Sequence, residues 1–358
     1  MDIQIVYASS GLGLKKDASI LESALNAMGH TCQQVQLHPT PAWRNKLSYF
    51  RYRLFNTYCP KPIEHLYYPV SRWFKAFLNG APNADLVIHL ENIRPSYLSA
   101  RSKHWLIPNQ EWFIESRSPY LAFIDRVLCK THHAQTVFSS LHPRTCFLGF
   151  TSSTNATATV IPNKDYKLAI HVAGNSQFKG TDVLVNTWRH HPDWPRLVVV
   201  SKHTEQSQSN PDNLKICKDL GNEVLSHLWQ EAGFAIIPSE VEGYGHVLAE
   251  AMSHGCVTIT TDAPPMNELI NKDRGFLIPS DTSQPFRLGT RYQVSAQSLE
   301  QAISEALNTD EARLRQLSQA SVTWYEHNHA AFLQRLKELT NQLSGQPLDR
   351  SLKEFPEM

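Results

Sequence analysis

The sequence predicts an α/β protein made of two doubly wound domains, each a parallel β-sheet with helices on both faces. Three observations support this fold class. The 358 residues are enough for two domains of roughly 150 residues each. Short apolar runs, typical of buried parallel strands, alternate with helix-length segments in two successive series. Hydrophobic residues make up 41% of the chain and charged residues 19%, so each domain can bury a core.

The first series fills the N-terminal half of the chain. It opens with a strand pattern over 3–8, and apolar residues at helical spacing predict a helix over 17–28 that Gly29 ends. Further buried strands are expected at 86–90, 105–107 and 126–129. This order of elements predicts an N-terminal Rossmann-like domain over residues 1–160.

The second series begins near Tyr166. Its strands are expected at 168–172, 196–200, 234–237 and 257–260. The polar segment 152–164 lies between the two series, as a linker between domains would. A C-terminal Rossmann-like domain is therefore expected over 161–324. The final helical pattern, over 311–343, has no strand after it.

Charge and cysteine usage exclude several classes of function. The formal net charge of +1 gives no argument for a nucleic-acid partner. The six cysteines are scattered and form no Cys-x-x-Cys pair, which predicts a reducing, cytoplasmic setting and no zinc site. No apolar run approaches the roughly 20 residues that a membrane-spanning helix requires.

The segment 238–257 carries the clearest chemical pattern. It contains the end of a strand, a turn with Gly243 and Gly245, and then a helix. Glycines let the backbone approach a ligand closely, and the following helix aims its free N–H groups at the turn, an arrangement that suits a diphosphate. Glu242 and Glu250 bracket the turn, and each carboxylate can accept hydrogen bonds from sugar hydroxyls.

These two glutamates stand in an E-x7-E arrangement within the frame P-S-x-x-E-G-Y-G-x4-E-A-M-x-x-G. The frame closely resembles the signature of family-4 retaining glycosyltransferases (glycosyl transferases group 1) of the GT-B fold. The segments 261–268 and 275–279 are similar to the loop and strand that follow it in the family. The resemblance covers roughly residues 165–285. It implies two Rossmann-like domains that face a cleft, with a C-terminal helix, about 325–358, that packs back on the N-terminal domain.

A second match lies upstream, in the segment 171–182. It is similar to the strand, glycine and Lys-Gly element of the family, in which an arginine and a lysine neutralise the donor diphosphate. Lys179 matches the lysine, whereas Asn175 stands at the position of the arginine. Lys202, at the end of the run 196–200, could supply a substitute charge.

The resemblance also implies roles for individual residues. Glu242 would bind hydroxyls of the transferred sugar, Lys179 would act beside it, and Glu250 would bind the ribose diol. The nucleotide would also be bound at the glycine turn, by Tyr244, Gly245, His246 and Val247, chiefly through their backbone. Asn175 and Lys202 would lie near the diphosphate, and the segment 215–220, which ends at Leu220, would lie near the base. No metal ligand is expected, because the helix dipole and basic side chains replace a metal and the chain has no Asp-x-Asp.

The N-terminal half offers weaker candidates. Gly11 and Gly13 follow the first strand, where the family has a glycine-rich loop near the donor phosphates, although an ordinary strand–helix turn remains an equal alternative. Asn109 and Glu111 follow the strand at 105–107, and the carboxyl ends of strands are where doubly wound sheets bind ligands. Both are therefore candidate catalytic residues that line the cleft.

The segment 42–77 stands out by composition. It holds seven basic side chains and one acidic side chain, interleaved with aromatic residues. Such helices can lie on anionic membrane surfaces or bind a lipid diphosphate or a glycan. The segment is expected to face a lipid-linked or glycan acceptor, with peripheral contact to the inner face of the membrane. The alternative is a set of core aromatic residues with solvated basic edges.

Together these patterns predict a metal-independent hexosyltransferase. It would move a hexose from a nucleoside-diphosphate sugar, with UDP-glucose as the first candidate, to a growing glycan or lipid-linked acceptor in polysaccharide or glycolipid synthesis. The nucleotide sugar would be a co-substrate, and no other cofactor is expected. Two alternatives stay open: a catalytically silent nucleotide-sugar-binding protein, and an NAD-dependent sugar-nucleotide epimerase or dehydrogenase. The second is disfavoured because the chain lacks G-x-G-x-x-G and a Tyr-x-x-x-Lys pair.

Overall fold

The structure, a computed structural model, describes residues 1–8, 12–78, 83–152, 163–207, 210–343 and 345. These residues form two six-stranded sheets in which all strand pairs are parallel, with helices on the faces. The predicted pair of doubly wound domains is confirmed. The predicted linker and the boundary at residue 160 fall almost wholly on 153–162, outside the described residues, and stay predictions.

The N-terminal sheet has the strand order β2-β1-β3-β4-β5-β6. Its strands are β1 (Asp2–Ala8), β2 (Thr31–Leu37), β3 (Leu86–Glu91), β4 (Lys103–Pro108), β5 (Arg126–Cys129) and β6 (Thr145–Phe147). The helices of this domain are α1 (Leu12–Ala27), α2 (Ala42–Tyr58), α3 (Lys61–Leu78) and α4 (His132–Ser139), with 3₁₀ helices at Pro95–Tyr97 and Glu115–Phe123.

The C-terminal sheet has the order β12-β11-β10-β7-β8-β9. Its strands are β7 (Asp165–Gly174), β8 (Arg196–Ser201), β9 (Leu214–Cys217), β10 (Ala232–Ile237), β11 (Val257–Asp262) and β12 (Gly275–Pro279), and a separate antiparallel hairpin follows with β13 (Thr282–Phe286) and β14 (Gly289–Gln293). The helices are α5 (Thr181–Arg189), α6 (Asn222–Glu231), α7 (His246–Ser253), α8 (Met266–Leu269), α9 (Ala296–Leu307) and α10 (Glu311–Leu343).

Each sheet reverses its direction of winding next to its first strand, at β1/β3 and at β7/β10. Loops at the carboxyl ends of strands diverge at such a point and leave a crevice in which doubly wound sheets bind ligands. The loops that follow β7 and β10 contain Lys179 and Glu242, so the sheet topology brings the two upstream and downstream motifs of the C-terminal domain together.

The C-terminal half of α10 joins the two domains. Its Tyr325 hydroxyl lies 3.1 Å from Thr151 Oγ1, and the ring centroid of Phe332 lies 5.1 Å from that of Phe150. Farther along, Arg335 Nε donates a hydrogen bond to the Leu148 carbonyl at 2.7 Å. Helix α10 therefore packs against residues 148–151, at the end of the N-terminal domain, as well as against the C-terminal domain.

Two features of the fold differ from the sequence expectation. Helix α1 begins at Leu12, five residues before the expected start, although it ends before Gly29 (φ 84°) as expected. The edge strands β2, β6 and β9 were not anticipated from apolar runs. Strand β2 explains why: it is half-exposed and carries Gln33, Gln34 and Gln36, so it lacks the continuous apolar run of a central strand.

Within the described part of the chain, every helix is too short or too polar to cross a bilayer.

Candidate functional site

The two domains face each other across a cleft of about 830 Å³ at the carboxyl ends of both sheets. Most of the residues predicted from the sequence line it: Gly13, Asn109, Glu111, Asn175, Lys179, Glu242, Tyr244, Gly245, His246, Val247 and Glu250. Three do not. Gly11 lies outside the described residues, Lys202 is exposed away from the cleft lining, and Leu220 packs against the apolar core.

The glycine turn after β10 forms the wall of the cleft that belongs to the C-terminal domain, here called the donor-side wall because the resemblance assigns the donor to it. Gly245 has a φ of 101°, a conformation that favours glycine, and it caps the N-terminus of α7. Gly243 has no room for a side chain, because a Cβ there would lie 2.7 Å from Asn109 Oδ1 and from Glu111 Oε1 of the other domain. The turn therefore presses closely against the N-terminal domain.

Glu242 is held in place by three contacts. Its Oε1 pairs with the Lys179 ammonium and accepts a hydrogen bond from Ser239 Oγ at 2.6 Å. Its backbone carbonyl accepts a hydrogen bond from Gln110 Nε2, across the cleft, at 2.9 Å. Glu242 and Lys179 are both buried. A buried ion pair with an added hydrogen bond is preorganised, so a ligand finds both charges already fixed.

Gly180 fixes the position of Lys179. It has a φ of 64°, and a Cβ there would overlap the carbonyl oxygen of Pro238. The chain therefore passes too close to Pro238 for a side chain at residue 180, and this contact brings the lysine next to the glycine turn. The Lys-Gly pair found in the sequence has a direct steric reason.

Asn175 follows β7 and is exposed in the cleft. Lys202, which was expected to supply a charge here, is exposed outside the cleft lining, and its N–H donates to the Gly174 carbonyl at 2.8 Å. The lining residue is His203, whose Nε2 donates to the Asn175 carbonyl at 3.2 Å. Lys202 therefore does not line the cleft: β8 ends at Ser201, and the next residue of this segment in the lining is His203.

Tyr244 has its side chain directed away from the cleft. Its hydroxyl donates a hydrogen bond to the Phe150 carbonyl at 2.7 Å, and burial raises its pKa far above the usual 10. Only the main chain of this residue is thus in a position to serve a ligand, and the side chain joins the glycine turn to the N-terminal domain.

A buried charged network that the sequence analysis did not find crosses the cleft behind the glycine turn. Asp17 of α1 accepts hydrogen bonds from Lys130 Nζ at 2.8 Å and from His246 Nε2 at 2.7 Å. Burial alone would raise the pKa of Asp17, but the charge of Lys130 and the bonds from His246 outweigh it and lower the pKa to about 2. Asp17 was missed because the helix was expected to start there, whereas it lies inside α1 on the buried face.

Glu250 already has a partner from the other domain. Its Oε1 pairs with the Lys16 ammonium of α1, and both side chains are partly exposed. The carboxylate to which the resemblance assigns the ribose diol is therefore engaged, and a ribose would have to displace Lys16 or share the carboxylate with it.

Glu111 and Asn109 form part of the wall that belongs to the N-terminal domain, here called the acceptor-side wall because the acceptor is expected there. Glu111 is buried, and burial raises its pKa to about 8, with the negative charges of Glu242 and Glu91 adding to the shift. Within the described part of the chain, Glu111 Oε2 and Asn109 Oδ1 have no hydrogen-bond partner. At neutral pH Glu111 is therefore mostly protonated, and it can donate as well as accept a hydrogen bond.

Two further residues line the cleft that were not among the predicted site residues. Glu91 ends β3 with a φ of 64°, a strained backbone conformation for a non-glycine residue, and burial raises its pKa. Arg287, from the β13–β14 hairpin, reaches across and donates to the Trp112 carbonyl at 2.7 Å. These residues come from separate loops, so no contiguous motif marks them.

Comparisons with known proteins agree with this geometry. Residues 167–289 match the family model described as Glycosyl transferases group 1. A curated relative, the GDP-mannose:cellobiosyl-diphosphopolyprenol alpha-mannosyltransferase of Xanthomonas campestris, is 26% identical over 149 residues. That alignment covers 38% of this chain and only 36% of the relative, so it extends over about a third of each protein.

Solved structures with the same architecture cover nearly the whole chain. A sucrose-phosphate synthase from Thermosynechococcus elongatus has a TM-score of 0.66 at 16% identity, with 96% of this chain and 99% of that chain covered. The Anabaena protein HepE in complex with UDP and glucose has a TM-score of 0.62 at 13% identity, with 95% and 99% covered. Residues 167–289 are therefore similar to the glycosyl transferases group 1, and the chain has the GT-B fold.

Proposed function

We propose that the protein is a glycosyltransferase that moves a hexose from a nucleoside-diphosphate sugar to a glycan or lipid-linked acceptor. The observation that carries the proposal is the buried Lys179–Glu242 pair beside the N-terminus of α7, in a cleft closed by a second domain. A carboxylate for sugar hydroxyls, an ammonium and free helix N–H groups for phosphates are the groups that such a donor requires.

In this proposal the donor lies along the C-terminal wall. Glu242 accepts hydrogen bonds from hydroxyls of the transferred sugar. The backbone N–H groups of Gly245, His246 and Val247 face the diphosphate, together with Lys179. Glu250 accepts bonds from the ribose diol once Lys16 has released it. The positive end of α7 and Lys179 stabilise the charge that develops on the leaving diphosphate, so the transfer is expected to proceed without a metal.

The stereochemistry is inferred from the family resemblance, and the contacts to the acceptor are inferred from the opposite wall. We expect retention at the anomeric carbon, by attack of the acceptor on the face from which the diphosphate leaves. Glu111 and Asn109 then orient the acceptor hydroxyl from the opposite side of the cleft. Because Glu111 is mostly protonated at neutral pH, its role in the proposal is to hold the acceptor by hydrogen bonds.

UDP-glucose remains the first candidate for the donor, and GDP-mannose is the alternative that a specific observation favours. The Xanthomonas relative is named for GDP-mannose, whereas the HepE structure holds UDP and glucose. Both are nucleoside-diphosphate hexoses, which supports the donor class.

The hairpin of α2 and α3 supports a lipid-linked acceptor and peripheral contact with an anionic membrane. Helix α2 has no buried residue, and large apolar side chains of both helices are exposed, among them Tyr58 (79%), Phe77 (70%), Trp73 (64%) and Trp43 (62%). Exposure on this scale is unfavourable for the alternative in which these residues are core aromatics. The basic residues beside them complement anionic lipid, and the Xanthomonas relative acts on a diphosphopolyprenol by its name. The expected location is thus the cytoplasmic face of a membrane.

A thermal-shift screen against UDP, GDP, ADP and their sugars, with and without EDTA, tests the donor class. A ligand at 100 times its dissociation constant stabilises the fold by about 2.7 kcal/mol. We expect one nucleotide to stabilise the protein regardless of EDTA, followed by transfer of its hexose to a lipid-linked acceptor. Nucleotide binding without any transfer would favour the silent binding protein, and stabilisation by a nicotinamide dinucleotide alone would contradict the proposal.

Vesicle flotation tests the membrane contact. The wild-type chain should float with vesicles that contain phosphatidylglycerol and remain in solution with phosphatidylcholine vesicles. Replacement of Arg44, Lys46, Arg51 and Arg53 by serine should abolish this preference. Identical flotation of the variant and the wild type would contradict the contact.

A further inference from the structure

One arginine of the acceptor-side wall is buried without an ion pair. Arg94 lines the cleft and is only 8% exposed, yet within the described part of the chain its side chain makes no salt bridge and its Nε has no hydrogen-bond partner. Glu91 is near enough to raise the pKa of Arg94 but does not pair with it, and burial lowers that pKa. An unpaired buried guanidinium is costly, which is expected where a ligand supplies the missing anion.

The backbone of Arg94 is held by a chain of buried histidines. The Arg94 N–H donates to His89 Nδ1 at 3.2 Å, and His89 Nε2 lies 3.4 Å from His104 Nδ1. His104 Nε2 in turn donates to the Ser99 carbonyl at 2.7 Å. Burial lowers the pKa of both histidines, so the chain is neutral and its donors point in one direction. The loop that carries Arg94 is therefore rigid, although the guanidinium at its end has no partner.

A second unpaired arginine lies beside it. Arg117, in the 3₁₀ helix Glu115–Phe123, also has a buried Nε without a partner among the described residues. Asn92 joins the two loops, since its amide donates to the Trp112 carbonyl at 3.0 Å and its Oδ1 accepts from the Ile114 N–H at 2.7 Å. Burial and then the charge of Arg94 lower the pKa of Arg117 to about 10. The two cations thus lie close enough to repel each other.

Arg94 lines the cleft, and the 3₁₀ helix that carries Arg117 contacts the exposed helices α2 and α3. Ser48 of α2 lies 3.2 Å from Ser116 by their hydroxyl oxygens, and Lys75 of α3 donates to the Tyr120 hydroxyl at 2.9 Å. Asn45, near the start of α2, lines the cleft itself. A molecule whose apolar part lies on the hairpin and whose polar part enters the cleft would pass the two arginines.

We propose that Arg94 and Arg117 form an anion subsite that binds a phosphate group of the acceptor. The planar guanidinium matches phosphate oxygens in two parallel hydrogen bonds. The donor diphosphate has its own groups on the opposite wall, at Lys179 and α7, so this subsite remains for a second phosphate. The inference rests on the proposed function and specifies its acceptor as a phosphorylated lipid.

Isothermal titration calorimetry of the full chain tests the subsite with three probes: farnesyl phosphate below its micellar concentration, farnesol, and inorganic phosphate. We expect farnesyl phosphate to bind the wild type more tightly than either fragment. Arg94→Gln and Arg117→Gln should each weaken farnesyl phosphate about tenfold or more, since each loses a charge-assisted hydrogen bond. The matched control is Arg144→Gln, an exposed arginine just before β6 at the opposite edge of the same sheet, which should bind like the wild type.

Thermal melting and nucleotide binding separate the outcomes. The variants should melt no lower than the wild type, because an unpaired buried charge has been removed, and they should keep the response to nucleoside diphosphates. Unchanged affinity for farnesyl phosphate in both variants would overturn the subsite while the proposed function stands. Equal affinity of the wild type for inorganic phosphate and farnesyl phosphate would overturn the lipid as the source of the phosphate. A wild type that responds to no nucleotide would instead overturn the proposed function.

Discussion

The two walls of the cleft differ in whether their polar groups have partners within the chain. On the donor-side wall, Glu242 and Glu250 are each paired with a lysine. On the acceptor-side wall, four described lining residues bury a polar atom without a partner: Asn45, Arg94, Asn109 and Glu111. Native proteins leave few such atoms, and each is a place where a ligand can supply the missing bond. One wall is therefore preorganised by the chain itself. The other has polar atoms whose bonds a ligand can complete.

The largest effect is expected from a variant that removes a preorganised contact of the donor-side wall. Glu242→Ala removes the carboxylate for sugar hydroxyls and leaves the Lys179 ammonium buried without its partner. We expect transfer to fall by about 10²–10³-fold, the usual effect of losing one preorganised polar contact, and stability to fall by about 3–5 kcal/mol. Steady-state transfer assays and urea denaturation measure the two effects.

The double variant Lys179→Met/Glu242→Leu is the control for this prediction. It replaces the buried pair by apolar side chains, so much of the stability should return while transfer stays low. Wild-type rates for Glu242→Ala would contradict the assignment of Glu242 to the transferred sugar.

Protonation of Glu111 on the acceptor-side wall should make the stability of the fold depend on pH. The pKa of Glu111 rises from an ordinary 4.5 to about 8 in the folded chain, so the folded state holds a proton that the unfolded state releases. This contribution to stability is complete below pH 4.5 and is lost as the pH rises to 8, by about 3 kcal/mol between pH 5 and pH 8. Urea denaturation of the wild type and of Glu111→Gln across this range isolates the effect as a difference.

The network of Asp17, Lys130 and His246, which crosses the cleft, changes stability with pH in the opposite direction. The pKa of Asp17 is lowered to about 2, so its contribution is present above pH 3.8 and is lost as the pH falls toward 2. Asp17→Asn should flatten the acid limb of the stability profile, whereas Glu111→Gln should flatten the limb above pH 5. A Glu111→Gln profile parallel to that of the wild type between pH 5 and pH 8 would show that Glu111 is ionised in the folded chain.

Contact between the walls is tested by a methyl group at Gly243. A Cβ at this residue would meet Asn109 Oδ1 and Glu111 Oε1 at 2.7 Å, so these side-chain ends must shift. We expect Gly243→Ala to fold and to bind nucleotide as the wild type does, while transfer falls about tenfold because a small displacement spoils the alignment of the reacting groups. Thermal shift with the nucleotide and a transfer assay measure the two properties, and equal loss of both would mean that the methyl group disturbs the donor wall instead.

The difference between the walls also explains what the sequence could predict. The donor-side residues lie in two contiguous motifs, where each glycine has a steric reason and each charge a fixed spacing, so Lys179 and Glu242 could be found without a structure. Lys16 and Asp17 could not be found in this way, because their roles depend on where α1 begins. Arg94 and Arg117 are brought together by tertiary contacts between loops, and no local pattern encodes such contacts.

The smallest expected effect concerns Tyr244, which belongs to the sequence motif but not to the ligand-facing surface. Tyr244→Phe removes the hydrogen bond to the Phe150 carbonyl, and that carbonyl keeps a second donor, Asn328 Nδ2, at 2.7 Å. The cost should therefore be only about 1 kcal/mol, with nucleotide affinity unchanged. Asn328→Ala is the matched control, since it removes the other donor and should cost a similar amount. Calorimetric nucleotide affinity that falls tenfold or more in Tyr244→Phe would mean that the hydroxyl, and not only the main chain of the glycine turn, serves the donor site.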